Sequence, residues 1–244
     1  MNIQCIIKEA ADLYDQMIIP SHDQVMFLKQ ALLHNGPILE LCSGSGRLTL
    51  PLIKRGYQIT AVDLSEDMLN NMQRIINKEY EKYKSKLSII LGDMTKLNIK
   101  NKFNLIMIGA TSIRLVENDF IYFFNNMYEM LNDKGGFIFD FEDLPMHTGV
   151  NHLLESPEVF DLESSAGELS LLCTQRYIDY SKKNAVVNLM KIASESNEKV
   201  LLSWTKYRIF AISDIISAAK ESYFGDCQII PTSYPNYYFC KMVK

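Results

Sequence analysis

The sequence predicts an α/β chain: a doubly wound, mostly parallel seven-stranded sheet with an antiparallel β-meander inserted late in the chain. Three observations lead there. Apolar runs at 37–42, 57–63, 87–92, 103–109 and 135–142 alternate with segments of helical spacing, and alternation of that kind builds a parallel sheet through right-handed crossovers. The run FNLIMIG, Phe103 to Gly109, is apolar at nearly every position, as a strand buried on both faces requires. After Phe141 the rhythm changes to β-like runs at 169–178, 185–194 and 200–212, parted by the turns SKKN and ESNE with no helix between them.

Taken in order, the chain opens with apolar residues at helical spacing from Asp12 to His34 (Leu13, Met17, then Val25, Leu28, Leu32), broken at Pro20-Ser21, where Ser21 can cap a second helix. This gives an N-terminal helical cap over 1–36. A core follows over 37–142, with helices near 46–55, 65–84 and 118–132 between the strands. The β-rich segment 143–212 is read as a substrate lid. Ser213 and Asp214 then cap a helix to about Tyr223, and strands near 227–230 and 237–243 complete the core over 213–244.

Composition narrows the function classes. With 244 residues, 48% of them apolar and 22% charged, the chain can bury a large core. It has no stretch of 18 apolar residues, and Lys8 and Glu9 interrupt the apolar pattern at its start, so neither a membrane span nor a leader is expected and a cytoplasmic location is. Cysteines at 5, 42, 173, 227 and 240 lack metal-ligand spacing, so no metal is expected and the thiols should be reduced. Net charge is −4, and the densest basic stretch, Lys78 to Lys86, is interleaved with Glu79 and Glu81. A nucleic-acid partner is therefore not expected.

The chemistry concentrates at strand ends. Ile38 to Thr49 reads ILELCSGSGRLT, an apolar run containing Glu40 and then the small-residue turn Cys42-Ser43-Gly44-Ser45-Gly46. The next apolar run, Tyr57 to Val62, ends in Asp63. Glycines allow a ligand to approach the backbone, and a strand-ending acid can accept hydrogen bonds from both ribose hydroxyls, so the pair describes a nucleoside pocket. Asp63 can instead cap the helix beginning near Ser65. The dinucleotide fingerprint places a third glycine where this chain has Thr49, which disfavours a nicotinamide dehydrogenase.

These motifs resemble the class I methyltransferases that use S-adenosylmethionine. Glu40, Gly44 and Gly46 match their E/D-x-G-x-G-x-G turn, with Cys42 where the first glycine is usual; a Cβ there restricts positive φ. Asp93, in LGDM, stands where the family's acid receives the adenine amino group, and Gly109-Ala110-Thr111-Ser112 stands where the family holds the methionine end. The resemblance implies S-adenosyl-L-methionine as cofactor, with Glu40, Cys42, Gly44, Gly46, Arg47, Asp63, Leu64, Met68, Asp93, Met94 and Gly109 around it. Asp63 would hold the ribose, and Leu64 and Met68 would flank the adenine. More loosely, the insert resembles that of small-molecule N-methyltransferases, including the amino-sugar dimethyltransferases. No N/D-P-P-Y/F signature follows the fourth strand.

The implied reaction is methyl transfer to a small molecule or peptide terminus, at an amine nitrogen, with an O-methyltransferase or a catalytically silent partner subunit as alternatives and room for a homodimer. A neutral amine needs a proton acceptor. Tyr14, which matches a family tyrosine over the methyl-transfer site, Glu142 and His147 are the candidates, alongside Asp140 and Asp143. Arg176, Trp204, Tyr207 and Arg208, with Tyr177, are the candidate acceptor contacts. The alternative is that these aromatics pack and the arginines face water.

Overall fold

The computed structural model describes residues 22–117, 119–144, 151–163, 169–193 and 199–244. They form two compact units, one of 22–144 with 210–244 and one of 151–209.

In the larger unit the strands are β1 (Ile38–Leu41), β2 (Ile59–Asp63), β3 (Leu87–Leu91), β4 (Phe103–Ile108), β5 (Leu131–Glu142), β11 (Gln228–Pro231) and β12 (Tyr237–Val243). They make one seven-stranded sheet in the order β11-β12-β5-β4-β1-β2-β3. β5, β4, β1, β2 and β3 are parallel, while β12 runs antiparallel to β5 and β11 antiparallel to β12. The fold class expected from the alternation is the one observed. Strand order reverses between β4 and β1, and the carboxyl ends of these two strands flank the crevice where doubly wound sheets bind ligands.

The parallel strands are apolar on both faces because both are covered. One face carries a phenylalanine cluster, Phe120, Phe123 and Phe124 packing on Phe137, Phe139 and Phe141, with edge and stacked ring contacts at 5.2 to 6.4 Å. The other face buries Ile38, Ile59, Leu105 and Ile138 under helix α1 (His22–Leu33), helix α2 (Thr49–Lys54) and helix α3 (Glu66–Glu79). Helix α4 (Phe120–Met130) supplies the phenylalanines of the first face, and helix α5 (Ile212–Glu221) follows the insert.

Three expectations are corrected here. The face of α1 turned to the core is Asp23, Phe27, Gln30 and Ala31, whereas Val25 and Leu32 are 55% and 69% exposed. α2 begins at Thr49 and not near 46, because Gly46 lies at φ +98 and the helix cannot propagate back through it. α5 is not capped by Ser213: Asp214 reaches back to accept from Ala211 N at 2.9 Å, and Asp143 Oδ1 accepts from Ile212 N at 3.2 Å. Ser21 lies outside the described residues.

The smaller unit is a second sheet, β10-β9-β8-β6, with β7 also paired to β8. β8 (Leu169–Asp179), β9 (Asn184–Ala193) and β10 (Lys199–Arg208) are the expected meander. The short strands β6 (His152–Leu154) and β7 (Glu158–Glu163), both antiparallel to β8, were not expected.

Candidate functional site

The turn after β1 is where the motif residues meet. Ser43 N donates to Val62 O at 3.0 Å, which brings the turn beside the end of β2. Asp63 closes it: Oδ2 accepts from Gly44 N at 2.7 Å and Oδ1 from Ser65 N at 2.9 Å. Burial pushes the Asp63 carboxyl up, against the pull of these backbone N–H groups. The N-cap of α3 is Ser65 itself, whose Oγ accepts from Met68 N at 3.3 Å, so Asp63 does not cap the helix. Each carboxylate oxygen retains further acceptor capacity for a ligand hydroxyl.

The backbone of this turn is what a bound nucleoside requires. Gly44 lies at φ +56, and a Cβ built on it would find no atom within 4 Å: open space beside a free-standing backbone. Cys42 lies at φ +54, a conformation that favours glycine, and carries the left-handed strain of about 1 to 2 kcal/mol that an L side chain brings there. Its thiol, held in the neutral form by burial and by the nearby charges of Asp63 and Asp93, donates to Met94 Sδ at 3.4 Å. The buried hydroxyl of Ser43 finds no hydrogen-bond partner among the described residues. An orphaned hydroxyl, an acid and open backbone side by side fit a polar ligand.

Glu40 faces the other way. It is buried, accepts from Thr49 Oγ1 at 2.5 Å, and is pushed up to about 8 by burial, opposed by the Thr49 bond and by Arg47. At neutral pH it is mostly protonated and clamps β1 to the start of α2. Met68 and Met94 are 3% and 7% exposed, both turned inward, whereas Leu64 is 37% exposed at the crevice edge. Asp93 accepts from Thr95 N at 2.9 Å and Thr95 Oγ1 at 2.7 Å and pairs with Lys96 at 3.2 Å. Partial burial works against the charge of Asp93, but the Thr95 bonds and Lys96 outweigh it and hold the carboxyl below its ordinary range.

Across the switch point, Gly109 makes room: a Cβ on it would lie 2.9 Å from Leu48 Cδ1 and 3.3 Å from Arg47 Nη2. Arg47 forks onto Asp23 of α1 with two contacts of 2.7 Å, and its carbonyl accepts from Gln24 Nε2 at 2.8 Å. Burial would lower the arginine's pKa, but the Asp23 bond and the charges of Asp23, Asp140 and Glu40 raise it. Asp140, fully buried, accepts from the Tyr237 hydroxyl and from Thr111 N at 3.0 Å. Burial pushes Asp140 up to about 7, with the Tyr237 bond opposing. Asp23, Tyr237 and Arg114 went unforeseen because nothing in the sequence shows which distant residue each one meets.

Residues 38–135 match the methyltransferase-domain family. This segment is similar to methyltransferase domains. The chain is 25% identical over 135 residues to the putative methyltransferase YqeM of Bacillus subtilis, covering 53% of this chain and 53% of that protein. It thus spans about half the length of the curated relatives it matches. The fold is similar to the CcbJ methyltransferase from Streptomyces caelestis (TM-score 0.76, 16% identity, 95% of this chain and 94% of that one). It is also similar to S-adenosylmethionine-bound CalS10, an amino pentose methyltransferase from Micromonospora echinaspora (TM-score 0.69, 10% identity, 100% and 98%).

The other candidates fall as follows. Tyr14 and His147 lie outside the described residues. Glu142, at the end of β5, is paired to the buried Arg114 at 3.1 Å, and its carbonyl accepts from Arg114 Nη2 at 2.7 Å. Asp143 serves the α5 amide described above. In the meander, cross-strand partners share a face. The register Ile178↔Ala185↔Tyr207 puts Tyr207 on the face of Arg176, with Leu172, Ile178 and Ala185 buried there. Arg176 donates to Glu155 through Nε and Nη2 at 2.5 and 2.6 Å and lies 3.5 Å from the Tyr207 hydroxyl. Gln175↔Asn188↔Trp204 and Asp179↔Asn184↔Arg208 put Trp204 and Arg208 on the opposite face, with Tyr177. The four residues do not line one pocket together. No helix among the described residues is long and apolar enough to cross a membrane.

The raised carboxyls make stability pH-dependent. Glu40 and Asp140 are protonated more readily folded than unfolded, so their contribution is complete below about pH 4 and is lost as pH rises toward about 8, at up to about 1.4 kcal/mol per pH unit for each. Urea unfolding at about pH 5 and about pH 8 should show a smaller loss for Glu40→Gln than for the unaltered chain. Equal losses would mean that Glu40 is charged in the fold.

Proposed function

We propose that this chain is an S-adenosylmethionine-dependent methyltransferase that acts on a small molecule or peptide terminus, at an amine nitrogen. The observation that carries it is the Asp63 carboxylate at the end of β2, hydrogen-bonded to Gly44 N and set beside backbone with open space over it. The fold likeness to the sugar N-methyltransferase KedS8 supports nitrogen.

In this reading the cofactor supplies a methyl group already activated on a sulfonium. The chain's own residues bind and align. Asp63 receives the ribose hydroxyls, Asp93 the adenine amino group, and Leu64 covers one ring face; Glu40 and Arg47 hold the turn without touching the ligand. Cys42, Gly46, Met68 and Met94 shape the floor, and Gly109 keeps the switch point open. For the acceptor, an ammonium has no lone pair, so its proton must leave before transfer, to water or to Tyr14, Glu142 or His147. Glu142 would have to do so while paired with Arg114. Of the meander candidates only one pair, Arg176 with Tyr207 or Trp204 with Arg208, serves the acceptor.

The test is transfer of labelled methyl from S-adenosylmethionine to a panel of amino sugars and peptide N-termini across pH. The rate should rise with pH through the acceptor's pKa and then level, because the neutral amine is the reactive form. Transfer only to hydroxyl acceptors would redirect the reading to oxygen. Formation of no S-adenosylhomocysteine with any acceptor would favour a silent fold.

A further inference from the structure

Among the described residues, six non-glycine positions have positive φ, and three of them crowd the switch point: Cys42 after β1, and Ala110 (φ +53) with Thr111 (φ +55) after β4. Two consecutive left-handed L residues are unfavourable and persist only where the surroundings over-determine them. Here the constraint is visible. Ser112 N donates to Gly109 O at 3.1 Å, closing the turn, and Thr111 N donates to Asp140 Oδ1 at 3.0 Å. The other Asp140 oxygen receives the Tyr237 hydroxyl. Asp140 sits on β5, paired with Phe239 of β12 and one residue beyond the last β4 pair, Ile108↔Phe139, so the sheet holds its backbone while Tyr237 holds its carboxyl. With no exposed surface and both oxygens engaged, it is not placed to take a proton from an acceptor.

We propose that Asp140 is a positioning residue that locks the Ala110-Thr111 backbone in its left-handed form at the mouth of the crevice, with Tyr237 holding Asp140 in place. The consequence for ligand affinity rests on the reading of this crevice as the S-adenosylmethionine site; the locking itself does not. Arg47 and Asp23 complete the surroundings of Asp140 electrostatically, one of each sign.

The test compares Asp140→Ala, Tyr237→Phe, Thr111→Gly and the double variant Asp140→Ala/Thr111→Gly in the full chain, by amide hydrogen exchange at Thr111 without ligand and by calorimetry with S-adenosylhomocysteine. Asp140→Ala should speed exchange at Thr111 by about tenfold or more and weaken binding by about tenfold, the worth of one hydrogen bond to a charged or buried partner. The double variant should regain affinity to within about threefold of the unaltered chain, because glycine adopts positive φ unaided. A residue that merely fills space would not be rescued in this way. Unchanged exchange in Asp140→Ala, or a double variant as weak as the single one, overturns the proposal. Should Asp140→Ala fail to fold, Tyr237→Phe decides: faster exchange at Thr111 supports the lock and unchanged exchange refutes it. Failure of the unaltered chain to bind S-adenosylhomocysteine would count against the cofactor reading alone, and exchange at Thr111 would still decide the lock.

Discussion

Arg47→Met is expected to destabilise the fold by about 3 to 5 kcal/mol, the loss typical when one partner of a buried ion pair is removed. The Arg47 side chain is 17% exposed and that of Asp23 only 3%, so Asp23 would remain as a carboxylate in the protein interior without its guanidinium partner. Asp140 would also lose the positive charge that moderates it. Methionine preserves the volume, which isolates the charge. Urea unfolding at neutral pH measures the effect, and Arg47→Met/Asp23→Leu should recover most of it, because a buried ion pair is replaced by apolar residues at little net cost. A single variant within about 1 kcal/mol of the unaltered chain would show that solvent reaches the pair.

Asp63→Ala should weaken S-adenosylhomocysteine binding by about 10- to 150-fold, corresponding to the roughly 1.5 to 3 kcal/mol of hydrogen bonds to a charged acceptor. Two effects combine: the ribose hydroxyls lose their acceptor, and Gly44 N loses the bond that shapes the turn. Asp63→Asn separates them. It keeps one oxygen for Gly44 or Ser65 but cannot accept charge-assisted bonds at both oxygens, so an intermediate loss is expected. Calorimetry on the three chains gives the comparison, and equal affinities would remove Asp63 from the site.

The parallel strands were legible because a strand covered on both faces must be apolar throughout, and Phe103 to Ile108 or Ile38 to Leu41 have no other use for such runs. The carboxyl-edge residues followed from where those runs end. Other features depend on partners distant in sequence. On α1, the spacing Asp23, Phe27, Ala31 is as helical as Val25, Leu28, Leu32, and a buried aspartate makes sense only once Arg47 is opposite it. Tyr237 meets Asp140 through the antiparallel register of β12 on β5, which no local pattern encodes. β6 has only three residues and β7 carries Glu158, Asp161 and Glu163, so periodicity gave no signal for them. In the meander the strands were legible but the division of Arg176 and Tyr207 from Trp204 and Arg208 was not, because which β10 residues share the face of Arg176 is set by the cross-strand register through β9, which the pattern of a single strand does not encode.

The most direct measurement is titration of the unaltered chain, in parallel, with S-adenosylhomocysteine and with a nicotinamide dinucleotide. The account predicts saturable one-to-one binding of S-adenosylhomocysteine that Asp63→Ala greatly weakens, and no binding of the dinucleotide. Binding of the dinucleotide in its place, or S-adenosylhomocysteine binding that is indifferent to Asp63, would contradict it.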